Sequence, residues 1–167
     1  MSEILVLVDH ADGAVRKTTT ELLTLARRLG EPSAVFIGSG YANAQATLSS
    51  FGAQKVYLLE QAELSEYLVA PKAEALAELA SRVSPGAVLL TSSPEGKEIA
   101  ARLAIKLSSG VITDAVDVEP GPVTTQSVFA GSYTVKARVT QGTPIITVKP
   151  NAATPEPAPA TPVEEKV

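Results

Sequence analysis

Three stretches of the chain carry residue types that could meet a ligand. Asp9-His10 follows the apolar run Ile4-Leu-Val-Leu-Val8. A carboxylate at the end of a buried strand can accept a hydrogen bond from a ribose hydroxyl. It serves the N–H groups of its own loop more commonly, and that reading is preferred here. His10 is the single His of the chain. It has no partner evident in the sequence, so it does not read as a general base.

Gly38-Ser39-Gly40 is the second stretch. Paired glycines let a phosphate approach the backbone, but the third glycine of the dinucleotide fingerprint is missing and the stretch follows the second strand rather than the first. An ordinary turn is the better reading. The third stretch is Thr91-Ser92-Ser93-Pro94-Glu95-Gly96-Lys97. A hydroxyl-rich loop entering a helix offers free N–H groups and a positive dipole end. Ser92, Ser93 and Gly96 are therefore the candidate anion loop. A purely structural use competes with it: Ser93 as N-cap, Pro94 in the first helical position and Glu95 in the first turn all favour a helix start. Glu95 would also repel a phosphate. Neither a Walker-type G-x-x-x-x-G-K-[ST] nor a G-x-S-x-G occurs, so no catalytic residue is assigned. Cys is absent, which removes thiol chemistry and Cys-held metals, and no metal ligands are assigned.

Alternating strands and helices must position these stretches. Ile4–Val8 has the continuous apolar character of a strand buried on both faces. Leu22, Leu25, Ala26 and Leu29 recur at helical spacing within about residues 16–29, and Gly30 suits the stop. Ser33–Ile37, Lys55–Leu59 and Ala87–Thr91 read as further strands. Between them lie a weak helix through Ala44, Leu48 and Phe51 and a longer one over Val69–Val83. Glu95–Leu107 is the helix after the third stretch. Strands separated this way imply right-handed βαβ crossovers and a parallel sheet. Past residue 110 the pattern changes. Val111–Val118 reads as a strand, and Val123–Phe129 and Ser132–Thr140 flank Ala130-Gly131 as a hairpin. Tyr133, Val135, Ala137 and Val139 alternate with Thr134, Lys136, Arg138 and Thr140, which predicts one buried face and one wet face. Ile145–Val148 closes the set. The expected class is α/β: a Rossmann-like three-layer domain with a mainly parallel sheet plus C-terminal antiparallel strands.

Composition narrows the function. The 167 residues are 45% hydrophobic, enough for one core. Fourteen Lys and Arg against 18 Asp and Glu give a net charge of −4, unlike the basic stripe of a nucleic-acid binder. Trp is absent and aromatics are 4%, which disfavours base-stacking surfaces. No run approaches the roughly 20 apolar residues that span a bilayer. The N-terminus does not read as a signal peptide, so a cytoplasmic location and no membrane insertion are expected. Residues 150–167 hold 5 of the 12 prolines. Pro lacks an N–H and fixes φ, so residues 1–149 are expected to form the domain and 150–167 a solvated linker or tail that pairs in no sheet.

Several segments carry a family resemblance, in register over about residues 4–150. These are Ile4-Leu-Val-Leu-Val-Asp-His10, Thr20-Glu-Leu-Leu-Thr-Leu-Ala-Arg27, Gly52-Ala-Gln-Lys-Val-Tyr-Leu58, Leu89-Leu-Thr-Ser-Ser93 and Gly96-Lys-Glu-Ile-Ala-Ala-Arg-Leu-Ala104. Thr113-Asp114, Phe129-Ala-Gly131 and Thr147-Val-Lys-Pro150 continue the series. Together they resemble the N-terminal domain of the electron transfer flavoprotein alpha subunit. Lys97 stands where that family usually has Arg.

The resemblance implies an electron carrier component rather than an enzyme. It implies a domain that pairs with the beta subunit, in a heterodimer moving electrons from dehydrogenases such as acyl-CoA dehydrogenases to a membrane quinone reductase. FAD would be held mainly by the family's C-terminal domain, whose motifs this chain lacks, and AMP by the beta subunit. Neither is then expected on this chain alone. The alternative from a different class is a stand-alone adenine-nucleotide-binding module of the universal-stress type, with Ser92–Gly96 as its phosphate cradle. A third option is a homodimeric scaffold using the antiparallel strands as an edge.

Overall fold

The computed structural model describes residues 1–66 and 68–167. In chain order the first half comprises β1 (Glu3–Leu7), β2 (His10–Ala11), β3 (Ala14–Val15), α1 (Lys17–Leu29), β4 (Glu31–Ile37), α2 (Tyr41–Ser50) and β5 (Lys55–Leu59). It continues with α3 (Glu63–Glu66), α4 (Ala70–Val83), β6 (Ala87–Thr91) and α5 (Pro94–Lys106). The remaining strands are β7 (Val111–Glu119), β8 (Val123–Val128), β9 (Tyr133–Ala137), β10 (Ile145–Val148) and β11 (Val163–Lys166).

One nine-stranded sheet runs in the order β11-β5-β4-β1-β6-β10-β7-β8-β9. Its pairs are parallel from β11 through β7, and β8 and β9 join antiparallel. The apolar run of β1 explains its central place. Successive side chains leave opposite faces of a strand. Ile4 and Val6 accordingly pack with Leu22, Leu25 and Leu48 of α1 and α2, while Leu5 packs with Leu76, Leu79 and Leu103 of α4 and α5. This is the three-layer, Rossmann-like α/β domain with an antiparallel extension. The chain leaves β1 toward β4 on one side and returns through α4 to β6 on the other, so the topological switch lies between β1 and β6.

Gly30 ends α1 for a reason other than a left-handed turn. Its φ is 173°, an extended value, and a Cβ there would stand 2.1 Å from the Ser2 carbonyl oxygen. Close backbone approach excludes a side chain.

Two expectations are corrected. Residues 150–167 do not form a solvated linker. β11 pairs in parallel with β5, Val163 opposite Lys55 and Lys166 opposite Leu58, and the preceding residues strap α1 and α2. The prolines stop at Pro162, so the strand keeps its N–H groups. Upstream, the N–H groups of Asn151 and Glu156 donate to Glu21 Oε2 (2.9 Å) and Thr24 Oγ1 (3.0 Å). Those of Ala158 and Ala160 donate to the carbonyls of Ser50 (2.8 Å) and Ser49 (2.9 Å). The second correction concerns β9. Tyr133 and Val135 are 63% and 40% exposed rather than buried, because no helix or strand among the described residues lies over that face.

Candidate functional site

The carboxyl ends of β1, β4 and β6 and the start of α5 enclose a cleft at the switch point. Val8, Asp9, His10, Ile37, Thr91 and Gly96 are among its lining residues, and its volume is about 90 Å³. Ligand pockets usually offer about 300–1,000 Å³. Water or a very small ion fits within that volume.

Most side chains around the cleft are engaged within the protein, whereas the buried Thr91 Oγ1 has no hydrogen-bond partner. Asp9 pairs with the Arg16 guanidinium at 3.1 Å, and its N–H donates to Thr19 Oγ1 at 2.9 Å. His10 has the partners that its sequence context did not reveal. Its Nδ1 accepts from the Gly13 N–H at 3.0 Å, which leaves Nε2–H to donate to the Ile37 carbonyl at 2.7 Å. These bonds fix the neutral Nε2–H tautomer. The ring also stacks on Phe36, centroids 4.1 Å apart. His10 therefore closes the β2–β3 hairpin against β4 and has no nitrogen left for a ligand. Gly40, with φ +88°, is the N-cap of α2, and the Gly38-Ser39-Gly40 turn lies against the backbone of Asp12 and Gly13.

The candidate anion loop divides into two structural tasks. Ser93 caps α5: its Oγ accepts from the Gly96 N–H at 3.0 Å. At Gly96 a Cβ would stand 1.9 Å from the Thr91 carbonyl oxygen, so the helix can start this close to β6 only without a side chain. Glu95 is paired with Lys72 of α4. Ser92 turns the other way and donates to Asp114 Oδ1 at 2.8 Å.

Around Asp114 the structure assembles a cluster that sequence reasoning missed. Lys97 Nζ lies 2.9 Å from Asp114 Oδ1. Thr147 Oγ1 is 2.8 Å from Ser92 Oγ and accepts from the Asp114 N–H at 3.1 Å. The Lys97 ammonium, hydrogen-bonded to Asp114, holds its carboxyl below the usual carboxylate range. The Ser92 hydrogen bond acts in the same direction, and partial burial opposes both. Ser92 of this loop thus holds a carboxylate of the protein itself. Asp114 has φ +59°, left-handed backbone that Asp tolerates better than most residues. Beside this residue the register of β7 against β10 shifts, and parallel pairing resumes at Ala115. Beyond Asp114, Ala115 and Val118 enter the core beside α1, Asp117 pairs with Arg28 at 3.0 Å, and β8 and β9 follow as an antiparallel arm. The cluster therefore sits where the sheet passes from its parallel core to its antiparallel arm. Lys97 sits on α5, Ser92 just after β6, Asp114 within β7 and Thr147 within β10, far apart in sequence, and no local pattern links them.

No helix among the described residues is long and apolar enough to cross a membrane. No group of His, Cys, Asp and Glu among them is placed to hold a metal ion.

Comparison with known proteins agrees with this architecture. The family model for the electron transfer flavoprotein domain matches residues 4–167. The chain is 44% identical over 160 residues to an electron transfer flavoprotein subunit alpha of Mycobacterium tuberculosis, covering 95% of this chain and 50% of that protein. The Mycobacterium leprae subunit alpha shows the same identity and coverage. That of Syntrophomonas wolfei is 33% identical over 150 residues, covering 87% of this chain and 47% of the relative. The chain spans about half the length of the relatives it matches. It belongs to the electron transfer flavoprotein family, and the three relatives named above are alpha subunits.

Proposed function

We propose that this chain is the subunit-pairing domain of an electron transfer flavoprotein alpha subunit. It forms a base with the beta subunit and takes no direct part in redox chemistry. The heterodimer would carry electrons from dehydrogenases such as acyl-CoA dehydrogenases toward a quinone reductase of the respiratory chain. The observation that carries this reading is the family match across residues 4–167, joined to 44% identity with alpha subunits over 95% of the chain.

The residues present do not fit FAD. A cleft of about 90 Å³ is too small to enclose an isoalloxazine ring, and its Asp9 and His10 side chains are already paired within the protein. The flavin is assigned to the family's second domain and AMP to the beta subunit. Ser92, Ser93 and Gly96 are assigned to the start of α5 and the Asp114 anchor rather than to phosphate. The same volume counts against a nucleotide module of the universal-stress type. Titration of the purified chain with FAD and then AMP tests this assignment. Silence from both is expected, and submillimolar binding of either overturns it.

A further inference from the structure

The first turn of α2 is held by its neighbours more than by its own sequence. Its N-cap is Gly40, which brings no side-chain cap, and Ala44 and Leu48 are its buried residues. On one side of that turn lies the β2–β3 hairpin, whose two-residue strands are too short to stand alone. The hairpin rests on α2 at Gly13, where a Cβ would stand 1.9 Å from the Gly40 carbonyl oxygen. Asn43 Nδ2 also donates to the Asp12 carbonyl at 3.2 Å.

On the other side lies β11. Tyr41 Oη and Gln45 Nε2 both donate to Glu164 Oε1, at 2.9 and 2.8 Å. Along the strand, Glu165 reaches Arg82 of α4 at 2.8 Å and Lys55 of β5 at 3.9 Å, and Lys166 lies 3.9 Å from Glu60. No side chain of β11 is buried. Backbone pairing and charge therefore seat this strand without apolar burial, and it opens at lower cost than the core strands.

The hairpin and β11 meet through one row of rings. The Tyr41 ring meets Phe36 edge to face, centroids 5.5 Å apart, and Phe36 stacks on His10 at 4.1 Å. Phe36 is fully buried, so a shift of either neighbouring ring opens a void beside it. Burial, together with the Glu164 hydrogen bond, pushes the Tyr41 phenol well above its ordinary value, which keeps its hydroxyl a donor. We propose that β11 is a clasp: seated, it holds the first turn of α2 and, through Tyr41, Phe36 and His10, steadies the β2–β3 hairpin beside the cleft; released, it loosens both. The seated and released strand are the two states that such a link requires.

Amide hydrogen exchange in the full 167-residue chain tests the clasp at three N–H groups. Val167 donates to the Leu58 carbonyl and reports β11; Gly13 donates to His10 Nδ1 and reports the hairpin; Val88 donates to the Pro144 carbonyl and reports the core. Tyr41→Phe keeps the ring and removes the bond to Glu164, and Glu164→Ala removes it from the strand side. Glu165→Ala weakens the strand at Lys55 and Arg82, away from α2 and the hairpin. Each variant should speed exchange at Val167 and Gly13 together, about three- to fivefold, and leave Val88 unchanged. Faster exchange at Val167 in Glu165→Ala with Gly13 unchanged overturns the link between strand and hairpin. Unchanged Val167 in both Glu164→Ala and Glu165→Ala overturns the seating by charge. Equal acceleration at all three groups overturns the clasp as a separately opening unit.

Discussion

Substitution of Asp114 separates the two tasks of its side chain, the ion pair and the tolerance of left-handed backbone. Asp114→Asn keeps the second and removes the first. The Lys97 and Asp114 side chains are 43% and 39% exposed, so water screens their attraction and the loss should be about 0.5–1 kcal/mol. Asp114→Ala also places a Cβ with no polar group at φ +59°, which adds about 1–2 kcal/mol. The Ala variant should therefore lose about 1.5–3 kcal/mol in total. Urea unfolding at constant m reads both changes as shifts of the midpoint. The pH dependence has a fixed sign. Because the folded carboxyl titrates below its ordinary value, its stabilisation is present above the unfolded value of about 3.9 and is lost as pH falls through the folded value. The gap between parent and Asp114→Asn should then close in acid. Equal losses for Asn and Ala, or a gap unchanged down to about pH 2, would refute the assignment of Asp114 as an ion-paired backbone anchor.

Other consequences follow from single contacts. Ser93→Ala removes the cap on the Gly96 N–H and should cost about 1 kcal/mol in the same assay, with no loss marking the cap as idle. Tyr57 is buried, and burial together with its hydrogen bond to Glu3 pushes its phenol well above the ordinary value. Its stabilisation is thus present below the unfolded value of about 10 and lost at higher pH. Tyr57→Phe should flatten that alkaline limb; an unchanged profile would contradict the assignment. Removing residues 162–167 uncovers the β5 edge and should cause concentration-dependent association in light scattering, whereas a well-folded monomer would show the strap to be dispensable.

The parallel core was legible because its signal is local. Lys55–Leu59, Ala87–Thr91 and Ile145–Val148 are strands with the expected bounds, being short apolar runs buried on both faces. The helices α1, α4 and α5 start and stop within a residue of their periodic apolar stripes and Pro starts. The β2–β3 hairpin was not legible, since His10–Ala11 and Ala14–Val15 are two-residue strands held by one side chain. β11 was hidden for another reason. Val163–Lys166 is mostly charged and is held by backbone pairing and by carboxylates reaching Tyr41, Gln45 and Arg82. Proline content announces where N–H groups are missing; it says nothing of the residues between and after them. The β9 alternation correctly marked an apolar face, but periodicity cannot tell whether the cover comes from the same chain. At the candidate site the hydroxyls and the helix start were visible in Ser92–Gly96. Their actual anion, Asp114, lies 22 residues beyond Ser92, a distance only the fold can close.

The pairing role is tested most directly by calorimetric titration of the beta subunit into this chain in the absence of added nucleotide. A saturable 1:1 complex of micromolar affinity or tighter is the expected result. No heat and no complex, from two chains each folded by circular dichroism, would contradict it.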